Sequence, residues 1–207
     1  MTIPTETKVF LGIGAATMGV IVVVALLFSR PAGPVSNNRL LPPGAYTQGN
    51  ATAAAILVEF SDFQCPACKA YQPVVDELLQ KYKDNLYFSY RHFPLPQHTF
   101  GEAAARAAEA AGKQGKFWDM LALLFAKQED FSDTLWVQLA KELQLNEAQF
   151  QKDFASQTII DKINLDKADG LSSGVNSTPT FFLNGVKLLP MNVGEFKQKV
   201  TDAARKQ

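Results

Sequence analysis

The sequence lacks an excess of charge of either sign. Twenty lysine and arginine residues are balanced by twenty aspartate and glutamate residues, so the formal net charge is zero. Without a basic excess the composition gives no indication of a nucleic-acid partner, and no acidic tail indicates a disordered segment. Apolar residues make up 47% of the chain, which suffices for the core of one globular domain. The composition therefore argues against a nucleic-acid partner and leaves the function to the positions of particular residues.

Cysteine is also scarce, and its two copies stand together. Cys65 and Cys68 are the only cysteines in 207 residues, and they form a single C-x-x-C motif. The motif follows an apolar run over 55–60 that is typical of a buried strand, and it opens a segment with the apolar spacing of an amphipathic helix. A dithiol at a strand-to-helix turn can cycle between thiol and disulfide. The sequence therefore predicts redox chemistry at this turn.

Charge is missing altogether from a long stretch near the N-terminus. Residues 9–28 contain no charged side chain. As a helix rising about 1.5 Å per residue, this stretch would span roughly 30 Å, the hydrocarbon thickness of a bilayer. A cleaved signal peptide has a shorter apolar region followed by a cleavage site, which residues 29–34 do not provide. We therefore expect an uncleaved transmembrane anchor over 9–28, after a short tail over 1–8, rather than a signal peptide or a buried soluble helix.

The flanking charges do not settle the orientation of this anchor. Lys8 precedes the span while Arg30 and Arg39 follow it, a count that slightly favours a cytoplasmic domain. Such short counts are weak for a long C-terminal domain. We place the N-terminus inside and the domain outside, because an anchored C-x-x-C domain suits an extracytoplasmic site.

The stretch after the anchor shows no periodicity. Residues 29–50 contain four prolines and three glycines, which is typical of an irregular, partly extended segment. We predict a linker over 29–50 that holds a folded domain, residues 51–207, clear of the membrane.

The predicted domain opens with a strand, a helix and a strand. Residues 55–60 are apolar on both faces except for Glu59, as in a central strand covered on both sides. The helix from 65 to about 83 contains Pro73, which should kink it. Residues 86–93 alternate and are rich in aromatic side chains, which predicts a second strand parallel to the first.

Residues 97–170 contain alanine-rich stretches and apolar stripes at helical spacing, which predict an insertion of four or five helices. Ser132 and Asn146 stand where two of these helices should begin, as N-caps, and Gln149 completes a capping-box pattern with Asn146. The chain then returns to strands, because residues 180–183 and 186–189 flank an Asn-Gly pair that suits a two-residue hairpin turn. A helix over 193–206 closes the domain.

This order of elements, with C-x-x-C at the first strand–helix junction, resembles the thioredoxin fold. The helical block between its halves resembles the DsbA-like branch. Pro73 and Glu59 stand at the distances from Cys65 that the helix-kinking proline and the buried acid have in such proteins. The likeness to membrane-anchored DsbA-like thiol-disulfide oxidoreductases covers roughly residues 45–205 and is carried by three stretches, 58–68, 91–95 and 174–182. It implies an α/β thioredoxin-like fold with a helical insertion, preceded here by one transmembrane helix.

The resemblance also implies a loop that faces the motif. Pro179 should be cis and lie against the C-x-x-C, although few X-Pro bonds are cis in general. Thr178 and Pro179 would shape the substrate groove and offer backbone groups for strand-like pairing with a substrate peptide.

The cysteines have distinct expected roles. Cys65 stands at a helix N-terminus, where unpaired backbone N–H groups favour the thiolate that acts as nucleophile. Pro66 suits the first helical turn, and Ala67 adds no polar group. Cys68, one turn further, should be shielded and resolve the mixed disulfide. Glu59 is the candidate proton acceptor for Cys68, with a strand carboxylate that reaches solvent as the alternative.

The remaining polar residues near the motif have simpler interpretations. We interpret Asp62 and Gln64 as surface turn residues rather than as groups that tune the site, and His92 and His98 as structural. The two cysteines and two histidines also form a C-x-x-C…H-x5-H pattern that a zinc module would need. A full helix and a strand separate the two pairs, so we favour redox chemistry over a zinc-binding module. The motif together with Thr178-Pro179 likewise favours an enzyme over a protein-binding module.

We therefore predict a single-pass cell-membrane enzyme that exchanges disulfides with extracytoplasmic, cysteine-containing proteins. It should need no metal or organic cofactor, act as a monomer, and exchange electrons with a membrane redox partner. We favour a disulfide-forming oxidase, with a reductase or isomerase of the same fold as the alternative. Pro66 and Ala67 contribute no charge and no hydrogen-bonding side chain, so they do not decide the direction of electron transfer. Threonine before the cis-proline is seen in reductive and isomerising relatives.

Overall fold

The structure is a computed structural model that describes residues 18–21, 23, 33–189 and 192–205. The predicted tail over 1–8 and most of the predicted anchor over 9–28 lie outside the described residues. Among the residues that are described, no helix combines the length and the apolar character needed to cross a membrane. Residues Pro34–Gln207 form one compact unit, which holds all the elements described below.

From residue 55 onward, the elements follow the predicted order of strands and helices. In chain order they are α1 (Asn37–Leu40), β1 (Tyr46–Gly49), β2 (Ala55–Ser61), α2 (Pro66–Lys81), β3 (Leu86–His92), α3 (Gly101–Gly112), α4 (Phe117–Ala126), α5 (Leu135–Glu142), α6 (Glu147–Phe154), α7 (Gln157–Ser172), β4 (Thr180–Leu183), β5 (Val186–Lys187) and α8 (Val193–Arg205). A short 3-10 helix, Gln128–Asp130, lies between α4 and α5. The predicted α/β fold with a helical insertion is confirmed, and α3 to α7 make up the insertion.

The strands form one five-stranded sheet in the order β1-β3-β2-β4-β5. Strand β2 is parallel to β3, as predicted, and antiparallel to β4. Its side chains alternate between two cores, because Leu57 belongs to a large core with α2, α8 and the insertion, while Val58 and Phe60 belong to a smaller one. The prediction of a central strand covered on both faces is therefore confirmed.

The prediction of a linker over 29–50 is wrong for its second half. Residues 46–49 form β1, which pairs antiparallel with β3 along the edge of the sheet. Helix α1 buries Leu40 in the smaller core, where only 1% of the residue is exposed. The sequence of this segment does not alternate between apolar and polar residues. The strand forms because its backbone bonds to β3, and no local pattern in the sequence indicates that pairing. The folded domain thus begins well before residue 51.

The predicted turn and cap residues have mixed outcomes. Asn184 and Gly185 have φ angles of 50° and 79°, as the predicted two-residue hairpin turn requires. Asn146 caps α6 by accepting a hydrogen bond from the Gln149 N–H, at 2.9 Å. The reciprocal half of the capping box is absent, because the Asn146 N–H donates to the Gln114 side chain instead. Ser132 is not an N-cap, since α5 begins three residues later at Leu135.

Candidate active site

The C-x-x-C motif lies where β2 passes into α2, at one end of the central strand. Cys65 precedes the first residue of α2, and Pro66 occupies the first helical turn. Both cysteines are free thiols; Cys65 is 6% exposed and Cys68 is 1% exposed. Pro66 and Ala67, between them, are exposed. The motif therefore presents its intervening residues to solvent and keeps Cys68 behind them.

Asp62 holds the turn that leads into the motif. Its carboxylate accepts hydrogen bonds from the N–H groups of Gln64 and Leu95, each at 2.8 Å, and pairs with a ring nitrogen of His98 at 2.7 Å. The residue is only 2% exposed. The interpretation of Asp62 as a surface turn residue is therefore wrong, because three groups from two segments converge on its carboxylate. Gln64 also has a structural contact, as its side chain accepts the Phe100 N–H at 2.6 Å.

Sequence reasoning missed Gln128, which ties the helical insertion to the same turn. Its side-chain amide nitrogen donates to the carbonyl oxygens of Phe63, at 2.6 Å, and Cys65, at 3.1 Å. Gln128 is 6% exposed, so these bonds are shielded from water. A glutamine more than sixty residues from its partners gives no local signal in a sequence, and only the fold brings them together.

The facing loop lies against the motif as the resemblance implied. The Thr178-Pro179 peptide bond is cis, which confirms that prediction. In its protonated form the Cys65 thiol donates to the Thr178 carbonyl oxygen, with a sulfur–oxygen distance of 3.3 Å. A groove of about 420 Å³ extends from Pro179 along β4, with Tyr71, Phe181 and Leu188 among its apolar lining and Lys187 among its polar groups. An apolar groove beside a reactive sulfur can accommodate an extended peptide.

The two sulfurs differ strongly in acidity. The Cys68 thiol, the Thr178 hydroxyl and backbone N–H groups of α2 stabilise the Cys65 thiolate and lower its pKa to about 5, against the opposing effect of burial. Burial, the partner sulfur and the negative charge of Glu59 raise the pKa of Cys68 far above its usual range. Cys65 is thus the ionised sulfur at neutral pH, and Cys68 keeps its proton.

This difference predicts an alkylation profile with an unusually acidic midpoint. The rate at which iodoacetamide modifies the reduced protein should follow the Cys65 thiolate, so it should fall below about pH 5 and remain level above it. An ordinary cysteine, with a pKa near 8.5, would still be gaining reactivity at pH 8. The Cys68→Ala variant identifies which sulfur reacts. It removes the thiol that stabilises Cys65 most, so its midpoint should move upward; an unchanged midpoint would contradict the assigned cause.

Glu59 lies below the motif and does not reach solvent. It is 1% exposed, and burial, with smaller effects from Cys65 and Asp76, raises its pKa to about 8, while the Ser61 hydroxyl opposes the rise. One of its carboxyl oxygens, Oε2, has no hydrogen-bond partner in the described part of the chain. The alternative of a solvent-reaching strand carboxylate is therefore wrong. A buried carboxyl that titrates near neutral pH can take or give a proton at Cys68.

The two histidines have separate partners. A ring nitrogen of His92 lies 2.9 Å from a carboxyl oxygen of Glu109, and His98 pairs with Asp62. Across the described ranges, no group of three or more histidine, cysteine, aspartate or glutamate side chains is placed to hold a metal ion. The histidines contribute to buried polar networks, as their structural interpretation expected.

Comparison with known proteins places this fold and site in context. The family model for thioredoxin matches residues 42–202. A thioredoxin-like oxidoreductase from Silicibacter pomeroyi DSS-3 superposes with a TM-score of 0.72 at 28% identity, over 84% of this chain and 99% of that one. Wolbachia pipientis alpha-DsbA1 has a TM-score of 0.72 at 22% identity, over 83% and 97% of the two chains. Oxidised BdbD from Bacillus subtilis has a TM-score of 0.70 at 21% identity, over 84% and 97%. At these lower identities the last two show the shared fold alone.

Curated relatives carry a different name. The Na⁺/H⁺ antiporter NhaA 1 of Mycolicibacterium vanbaalenii is 35% identical over 149 residues, which are 70% of this chain and 24% of the antiporter. NhaA of Herminiimonas arsenicoxydans is 36% identical over 143 residues, 69% of this chain and 23% of the antiporter. The chain thus spans about a quarter of the length of these relatives. By contrast, the thioredoxin model covers most of the compact unit and includes the C-x-x-C turn. The chain belongs to the thioredoxin family, and it is a redox enzyme.

Proposed function

We propose that this enzyme is an oxidase that transfers a Cys65–Cys68 disulfide to cysteine-containing proteins outside the cytoplasm. The observation that supports this most is the position of the Cys65 sulfur. It stands at the N-terminal end of α2 and 3.3 Å from the Thr178 carbonyl oxygen, and the next residue, Pro179, lines an apolar groove. A substrate segment lying in this groove would bring its own thiolate within reach of that sulfur.

The exchange proceeds in two balanced steps. A substrate thiolate attacks the Cys65 sulfur of the oxidised enzyme, which forms a mixed disulfide and breaks the Cys65–Cys68 bond. Cys68 leaves as a thiolate and takes a proton, for which Glu59 is the candidate donor. A second substrate thiolate then attacks the substrate sulfur of the mixed disulfide and releases the Cys65 thiolate. The substrate has lost two electrons and the enzyme has gained them.

The acidity of Cys65 supports the oxidising direction over the reducing one. A sulfur that is stable as a thiolate is a good leaving group, which favours release of the reduced enzyme. Its pKa of about 5 lies between those of the strong oxidant DsbA, about 3.5, and thioredoxin, about 7. A reductase or isomerase of the same fold is the second candidate, because the threonine before Pro179 is found in relatives that act in those directions.

The remaining parts of the proposal concern location and partners. We propose that residues 9–28 anchor the enzyme in the cell membrane and that the domain lies on its outer side. The charge-free run supports the anchor, and the antiporters that the chain matches are membrane proteins. A membrane redox partner would then reoxidise the dithiol, and the enzyme would act as a monomer without a metal or organic cofactor.

The reduction potential of the Cys65–Cys68 pair tests the direction. Equilibration of the full-length protein with glutathione buffers, followed by counting of alkylated cysteines, gives this value. A potential near −120 mV would indicate an oxidant, and one near −270 mV would indicate a reductase. Oxidative refolding of a reduced substrate and reduction of insulin, assayed side by side, should favour the former. Turnover of insulin alone would overturn the oxidase proposal.

A further inference from the structure

A second set of polar groups lies beneath the motif, on the face of the sheet that α2 covers. In the parallel pairing of β2 with β3, Glu59 stands beside Tyr90. Ser61 is two residues beyond Glu59, so its side chain points to the same face. Tyr90 and Cys68 belong to the same core cluster. The fold therefore gathers a carboxyl, two hydroxyls and the shielded thiol into one buried region.

The polar atoms of this region are unusual because they have no other hydrogen-bond partners. Glu59 Oε2, the Ser61 hydroxyl and the Tyr90 hydroxyl are all buried, and none has a partner with the distance and angle of a full hydrogen bond within the described residues. Each of these residues is 1% exposed. A buried polar group without a partner costs about 1–3 kcal/mol, so three of them side by side call for an explanation.

The electrostatics show that one hydroxyl serves the whole group. Ser61 opposes the rise in the pKa of Glu59, of Cys68 and of Tyr90, as expected of a hydroxyl close to all three groups. Burial raises the pKa of Tyr90 well above its ordinary value, which keeps its phenol protonated and able to donate. Ser61 thus acts on both the carboxyl and the thiol, and its hydroxyl carries a transferable proton at any ordinary pH.

We propose that the Ser61 hydroxyl passes the proton between Glu59 and Cys68, and that Tyr90 is the positioning residue that orients it. The inference rests on the proposed exchange chemistry at the two cysteines. When Cys68 leaves as a thiolate, Ser61 gives its proton to that sulfur and takes one from the Glu59 carboxyl, which becomes a carboxylate. When Cys68 attacks a mixed disulfide, the same protons move in reverse. The Tyr90 hydroxyl donates to Ser61 and turns the serine proton toward the sulfur.

Other titratable groups face this region and bear on its pH dependence. Cys65, the N-cap of α2, and Asp76, within α2, both raise the pKa of Glu59. Asp62, at the end of β2, acts in the same direction on Tyr90. The His92 ring, paired with Glu109, packs edge-on against the Tyr90 ring with their centroids 5.4 Å apart. The test of the relay must therefore follow a reaction step whose rate depends on the proton transfer at Cys68.

Reaction of the reduced full-length protein with oxidised glutathione separates that step. Cys65 first forms a mixed disulfide with glutathione, and Cys68 then displaces the glutathione; acid-quenched samples resolve both species by mass spectrometry. Ser61→Ala and Tyr90→Phe should slow the second phase roughly tenfold and change its pH profile. A tenfold effect is a modest share of what general acid–base catalysis contributes. The first phase should keep its rate, and Ser61→Thr should restore the second because it retains the hydroxyl.

Matched controls come from the opposite face of β3. Ser89→Ala removes a buried serine hydroxyl, and Tyr87→Phe removes a tyrosine hydroxyl, both on side chains that point away from the motif. If these variants slow the second phase as much as Ser61→Ala and Tyr90→Phe do, the relay is wrong. Additive effects of Ser61→Ala and Glu59→Gln would also overturn it, because members of one relay must be coupled. If the unaltered protein forms no mixed disulfide at all, the proposed function fails instead.

Discussion

Replacement of Cys65 by serine is expected to abolish disulfide exchange, with a loss of at least about 1,000-fold in the rate of substrate oxidation. The reason is the acidity of this sulfur, whose pKa of about 5 makes it a thiolate at neutral pH, whereas a serine hydroxyl stays protonated. Cys68 cannot take over, because it is 1% exposed and its pKa is raised far above the usual range. The measurement is oxidation of a reduced, thiol-containing peptide under anaerobic conditions.

The matched variant is Cys68→Ser, which keeps the attacking sulfur and removes the resolving one. We expect it to form a mixed disulfide with substrate that persists, because nothing in the protein can displace the substrate from Cys65. Non-reducing electrophoresis would show this adduct, and Cys65→Ser should show none. The opposite result, a stable adduct on Cys68 in the Cys65→Ser variant, would reverse the assigned roles.

The parts of this molecule that sequence could predict are those with a local signal. The two-residue turn at Asn184-Gly185, the cap at Asn146 and the strand with apolar residues on both faces around Glu59 all follow from residue types at short spacings. The cis bond before Pro179 came from resemblance rather than from spacing, since a proline alone gives little reason to expect it.

The parts that escaped prediction depend on contacts between distant segments. Strand β1 has no alternation and exists because β3 offers it hydrogen bonds. The sequence around Asp62 indicates a turn residue, but the N–H of Leu95 and the ring of His98, both distant in sequence, hydrogen-bond to its carboxylate. Gln128 lies in an unremarkable polar stretch and reaches the motif only because α4 ends beside it. In each case the decisive partner is more than thirty residues away.

A buried arginine links helix α1 to helix α7 of the insertion. Arg91, on β3, is fully buried, and its guanidinium pairs with Asp166 at 2.9 Å and Asp169 at 2.8 Å on α7. It also donates to the carbonyl oxygens of Arg39, at 2.7 Å, and Leu40, at 3.0 Å. One side chain thus satisfies groups on two separate elements, α1 and α7, and the Asp166 side chain is itself only 4% exposed.

Arg91→Ala is therefore expected to lower the free energy of unfolding by about 3–5 kcal/mol, the usual cost of removing one partner from a buried ion pair. The loss arises because Asp166 stays buried with Lys162, 3.8 Å away, as its one remaining cationic neighbour among the described residues, while two carbonyl groups lose their donor. Guanidinium denaturation followed by circular dichroism measures this free energy.

Arg39→Ala is the matched control: that side chain is exposed, and its backbone carbonyl, the group that Arg91 binds, remains. The control should change the free energy by no more than about 0.5 kcal/mol. A loss in Arg91→Ala no larger than that in Arg39→Ala would mean that the guanidinium network contributes little and that α7 tolerates an unpaired Asp166 carboxylate.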